Sequence, residues 1–167
     1  MRFTARHRFD ASPGEVAAAL TDPAFHLSLD LPDLSRPEVL EHRSGPEGAL
    51  LRLRYEFTGS LDPIAKRLLG SRRLTWVQDI SLDAGPGTGT LSTGTLSFGA
   101  EAEPGRLHGS ARFRLEQDRG GTQRLIDGEV VVAVPGVGGM AERRIVPGLL
   151  RRLDIEAQAL ETHLAPG

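Results

Sequence analysis

From Gly138 or Gly139 to Leu164 the chain sets Ile145, Leu149, Leu153, Ala157, Leu160 and Leu164 on one stripe at helical spacing, leaving Arg143, Arg151, Arg152, Glu156 and Glu161 for water. A helix of that span is about 40 Å long at a rise of about 1.5 Å per residue, and its stripe needs an equally long apolar surface. No second long helix precedes it, so that surface has to be a sheet. Pro147 lies inside the pattern, where it removes a backbone donor; the spacing predicts a kink or a fresh start near Val146.

The preceding residues supply the strands. Residues 2–9 alternate Phe3, Ala5, His7 and Phe9 with Arg2, Thr4, Arg6 and Arg8, the period-two pattern of a strand with one wet face. Ser12, Pro13 and Glu15 then have capping-box spacing, which predicts a short helix to about Leu20, and Asp22-Pro23 restarts a second one through Leu29. Pro32 and Pro37 force extended chain after it. A weak strand at residues 39–43, a turn over 44–48 and an alternating stretch at 49–57 form a hairpin. Residues 62–70 read as a capped helical segment ending at Gly70. Further strands are expected over 72–82, 90–98, 106–116 and 123–134, with a turn at 85–89. The strand at 90–98 is so rich in Thr, Ser and Gly that it offers no face from which to set its register. About seven strands, two short helices after the first of them and one long terminal helix favour an antiparallel α+β domain spanning residues 1–167.

Composition closes off several function classes. The 167 residues contain no cysteine, so no disulfide framework, thiolate metal site or cysteine nucleophile exists. Twenty basic against twenty-two acidic residues leave a formal charge of -2, without the positive field of a nucleic-acid binder. No apolar run exceeds five residues, the one at 130–134 having strand length, and the N-terminus enters a strand pattern at once, with no apolar leader core. The expectation is a cytoplasmic protein without integral membrane association. The five histidines fall outside the spacings that hold a metal, and none is expected.

Gly136-Val137-Gly138-Gly139-Met140-Ala141 follows a strand and opens a helix, formally a dinucleotide fingerprint. A dinucleotide site needs a following parallel strand with an acidic residue, whereas this chain ends in its helix. The glycines therefore read as a joint letting backbone approach the sheet, and no cofactor is expected. Ser12 and Ser110 lack the context of a nucleophile. Asp127 and Glu129 share a strand face and form either a carboxylate pair or, as the better reading, cross-strand ion pairs with Arg112 and Arg114.

The order of elements, the opening Phe9-Asp10-Ala11-Ser12-Pro13-Gly14-Glu15-Val16 and the closing Val134-Pro135-Gly136-Val137-Gly138-Gly139-Met140-Ala141-Glu142 resemble the START-like superfamily (SRPBCC, Bet v 1-like), and more narrowly its largely actinobacterial DUF2505 branch. The resemblance covers nearly the whole chain. It implies a helix-grip fold with a cavity between sheet and terminal helix, which relatives use for lipids, polyketides or other apolar molecules, and it carries over no catalytic residue.

A curved sheet gripping a long helix leaves space that eight aromatic residues (six Phe, one Tyr, one Trp) do not readily fill. The expected ligand-binding wall is Leu53, Tyr55, Phe57, Leu74 and Trp76 from the sheet with Met140, Leu149 and Leu153 from the helix, and His7 as a polar group on the inward face. The expected partner is an apolar small molecule. The alternatives are a cyclase- or hydrolase-like enzyme in which His7, Tyr55 or Asp127 handles protons, and a structural or protein-interaction domain with a filled core.

Overall fold

In the computed structural model, which describes residues 1–63, 65–66, 72–85 and 89–167, the chain runs β1 (Arg2–Phe9), α1 (Pro13–Leu20), α2 (Pro23–Ser28), β2 (Glu38–Gly45), β3 (Gly48–Glu56), β4 (Thr75–Asp83), β5 (Leu91–Ala100), β6 (Leu107–Asp118), β7 (Gly121–Val132) and α3 (Gly138–Leu164). The seven strands form one antiparallel sheet in the order β1-β7-β6-β5-β4-β3-β2. Most of the helical segment expected over 62–70 and part of the turn at 85–89 lie outside the described residues.

Local chemistry sets the early elements. Ser12 Oγ accepts from the Glu15 N–H at 3.3 Å while Glu15 Oε2 accepts from the Ser12 N–H at 2.8 Å, closing the capping box at the start of α1. Asp22 caps α2, its side chain accepting from the Ala24 N–H at 2.9 Å. Between β6 and β7 the two-residue loop Arg119-Gly120 has φ of 47° and 84°, the left-handed pair that suits a tight hairpin twist.

One face of the sheet is continuous. Phe3, Ala5, His7 and Phe9 on β1 oppose Gly128, Ile126, Arg124 and Thr122 on β7, and the same layer carries Phe113 and Leu115, Leu96 and Phe98, Gln78 and Ile80, and Leu51, Leu53 and Tyr55. The strand that lacked a readable face is fixed by its neighbours. The Phe98 and Phe113 rings occupy the space where a Cβ on Gly109 and on Gly94 would stand, pinning β5 against β6.

The outer face is polar, with the Arg52 fork clasping Asp79 through two 2.8 Å hydrogen bonds and Arg54 bridging Glu38 and Glu101. The expected pairing of Arg112 and Arg114 with Asp127 and Glu129 does not form. Arg114 stands opposite Leu125 and pairs with Glu116 at 3.3 Å; Arg112 does stand opposite Asp127, yet no ion pair within 4.0 Å joins them. The register puts an apolar partner across from Arg114, which leaves its long side chain to reach along its own strand instead.

Helix α3 spans 27 residues and stays helical through Pro147. Pro147 removes a single backbone donor, the partner of the Arg143 carbonyl, and the helix runs on past it, with Pro147, Arg143 and Arg144 all on its exposed side. The helix crosses the inner face unevenly. Its C-terminal half packs Leu153, Ala157 and Leu160 into one core with Phe9, Val16, Leu20, Phe25 and Leu115. Its N-terminal half stands over the end of the sheet where β3, β5 and β7 finish and β4 and β6 begin. Glu142 ties it there, accepting from the Val132 N–H at 3.0 Å and pairing with the Met1 ammonium at 3.1 Å.

Candidate functional site

Under the N-terminal half of α3 the layers part into two adjoining hollows of about 270 and 450 Å³ that share Phe57, Leu74, Leu107, Ile145 and Gly148. Trp76, Phe98, Leu149 and Ile155 complete the inner one beneath the segment carrying Leu31 and Leu34. The outer one opens between Ala100, Val132 and Ala141 and is rimmed by Arg72, Arg73, Arg106 and Arg144. Arg73 is held by Glu56, Arg106 by Glu103 and Arg144 by Asp62.

Of the expected wall, Phe57, Leu74, Trp76 and Leu149 meet at this hollow. Leu53 and Tyr55 do not line it; they are core, covered by residues 29–34 after α2, whose Leu29, Leu31 and Leu34 pack on Leu51, Leu53 and Tyr55. Leu153 is core as well, part of the cluster under the C-terminal half of α3. Met140 is 43% exposed. It precedes Ile145 by five residues, about 140° around a helix of roughly 3.6 residues per turn, so the two cannot face the same hollow. The apolar triplet Leu29, Leu31 and Leu34, set between prolines, was the available signal that β3 would be covered.

Sequence reasoning missed a buried polar seam. Arg124 on β7 and Glu156 on α3 both interrupt apolar faces, and they meet inside the protein at 2.7 Å. Arg124 also donates from Nε and Nη2 to His7 Nδ1 at 3.2 and 3.1 Å, which leaves the proton on Nε2, donated to Asp154 Oδ1 at 3.0 Å. Burial, and next the Arg124 charge, hold His7 below its ordinary pKa. His7 is thus a neutral member of an ion-pair network. Burial would by itself raise Glu156, but the charges around it, Arg124 first and then His26 and Arg152, together with the Arg124 hydrogen bond, hold the carboxyl low. His26, fully buried, donates from Nε2 to the Leu20 carbonyl at 2.8 Å, and burial lowers its pKa too. None of Arg124, Glu156, His7 and His26 lines the hollow.

Arg152 links seam and hollow. It lies on the wall, stacks over the Tyr55 ring at 4.5 Å and donates to Gln78 Oε1 at 2.7 Å. Burial pushes the Tyr55 phenol up, the Arg152 charge opposing it. Asp127 faces outward from the opposite side of the sheet, remote from both. Gly136, with φ of 80°, and Gly138 serve the strand-to-helix joint, since a Cβ on Gly138 would collide with the Val132 carbonyl oxygen. Among the described residues there is no cluster of three or more acidic or histidine side chains suited to a metal, and no helix is long and apolar enough to cross a membrane.

The model of a protein family described as a protein of unknown function (DUF2505) matches residues 4–164. No curated protein matches the chain. Among solved structures, TTHA0849 from Thermus thermophilus superposes with a TM-score of 0.63 at 15% identity, over 97% of this chain and 95% of that one. Ara h 8.0201 gives 0.61 at 14% over 98% and 96%. A STAR-related lipid transfer protein from Xanthomonas axonopodis gives 0.62 at 15% over 95% and 85%. At these identities the likeness is one of fold: a curved sheet gripping a C-terminal helix, START-like and Bet v 1-like.

Proposed function

We propose that this chain, which belongs to the DUF2505 family, binds and carries a hydrophobic small molecule in the hollow beneath the first half of α3. The observation that carries the reading is the uneven seating of the helix. Ala157 and Leu160 toward its C-terminus pack into the core, while the stretch from Ala141 to Ile155 borders adjoining hollows of about 270 and 450 Å³ whose inner wall is Leu34, Phe57, Leu74, Trp76, Phe98 and Leu149. Apolar side chains facing empty volume forgo both dispersion contacts and burial, and an apolar ligand restores them. The lipid transfer for which the Xanthomonas protein of the same fold is named supports this use of the space.

Purified protein, examined by native mass spectrometry and by solvent extraction, is expected to release an apolar compound or to take up added ones at one site per chain. Protein that extracts clean and binds no alkyl ligand would return the domain to the filled-core, structural reading.

A further inference from the structure

Arg152 differs in kind from the wall it stands in. Its guanidinium is fixed on two sides, by the 2.7 Å hydrogen bond to Gln78 and by the Tyr55 ring 4.5 Å away, and Gln78 is itself only 3% exposed. Among the described residues no carboxylate comes within 4.0 Å of it. Glu156, one helical turn further on, feels the Arg152 charge but is hydrogen-bonded to Arg124 at 2.7 Å and not to Arg152, and Asp33, on the wall of the same hollow, forms no ion pair with Arg152. A half-buried cation in an apolar hollow is costly without a counter-charge, yet this one is oriented by an amide and an aromatic ring. The hydroxyl of that same Tyr55 is buried beside Arg152, which acts on it, and no hydrogen bond of ordinary geometry reaches it. Unspent polar capacity thus collects at one spot on the inner wall.

We infer that the ligand of the hollow is an amphiphile whose carboxylate pairs with Arg152 while its apolar body lies along Trp76, Phe98 and Leu149. The inference rests on the ligand-site reading given above. A guanidinium fork matches one carboxylate. The second charge of a phosphate monoester would find no partner inside, because Arg151, the other cation of this wall, is exposed.

The test is calorimetric titration at about pH 8, where an ordinary carboxylic acid is ionised, with decanoate, decan-1-ol and decyltrimethylammonium against the wild type and Arg152→Gln. The wild type is expected to bind decanoate at least about tenfold tighter than decanol and to reject the cation, the preference for decanoate over decanol falling below about threefold in the variant. Equal binding of decanoate and decanol by the wild type, or a preference that survives Arg152→Gln, overturns the inference and leaves the hollow as an apolar site. Failure of both to bind overturns the ligand-site reading with it. Should the variant not fold, the wild-type Arg152 Nε–Hε resonance decides: it is expected to shift with decanoate and not with decanol, and equal shifts overturn the inference.

Discussion

The Arg124 guanidinium donates to Glu156 Oε1 at 2.7 Å, joining β7 to α3 through a charge pair whose side chains are 3% and 6% exposed. Removing one partner strands the other charge inside the protein. Arg124→Ala or Glu156→Ala is therefore expected to cost about 3–5 kcal/mol in urea unfolding. The double change Arg124→Met with Glu156→Leu should recover most of that loss; a double variant as unstable as the sum of the singles would show that the pair is not coupled.

Stability should fall on mild acidification. His7 and His26 are both held below the ordinary histidine value, chiefly by burial. The unfolded chain therefore takes up protons near pH 6.5 while the folded one does not. Their contribution is complete above about pH 6.5 and is lost as pH drops toward the folded pKa values, at up to about 1.4 kcal/mol per pH unit for each histidine. Glu156, held low, adds a loss only below the ordinary carboxylate range. Urea midpoints between about pH 8 and 5 check the slope, and an NMR titration of the His7 ring with a midpoint above 6.5 would contradict it.

Gly148 lies where both hollows meet, and a Cβ there would touch nothing within 4 Å. Gly148→Ala should stabilise α3 by about 0.5–1 kcal/mol through helix propensity alone. Gly148→Trp should fold, fill the hollow and abolish uptake of alkyl ligands. Unchanged uptake by that variant would place the ligand elsewhere.

Gly138 gives the opposite result. A methyl group there meets the Val132 carbonyl oxygen, fixed backbone at the end of β7. Gly138→Ala is expected to lower stability by about 1–3 kcal/mol in thermal or urea unfolding, through displacement of the start of α3. A neutral outcome would show that the joint is slack.

The Ser12–Glu15 capping box is legible three residues apart in the sequence, and Ser12→Ala should cost about 1 kcal/mol of stability. Equal unfolding midpoints for wild type and variant would assign the cap no weight.

How much of the fold could be read follows from the range of the interactions concerned. The capping box, the alternation of Phe3 through Phe9 and the stripe from Ile145 to Leu164 are set by neighbours two to four positions away, so they stand in the sequence as spacing. The start of β4 is less local: the pattern suggested Arg72, while pairing with β3 begins only at Thr75, opposite Glu56. The hollow is less legible still. Phe57, Leu74, Trp76 and Leu149 could be placed on inward faces, but so could Leu53, Tyr55 and Leu153, and an inward face becomes core or wall according to what lies above it.

By itself, then, the sequence determined the order of the described elements, the faces of β1 and β3 and the long terminal helix, because periodicity is a property of consecutive residues; it set Glu156 toward water, where the structure buries it. Only the tertiary structure decided that residues 29–34 seal β3, that Arg124 and Glu156 interrupt two apolar faces at the same point, and that hollows open beneath the stretch of α3 from Ala141 to Ile155. These depend on which surfaces meet across more than a hundred residues of chain in places, as at His7 and Asp154, and a one-dimensional pattern holds no record of the distance between two faces.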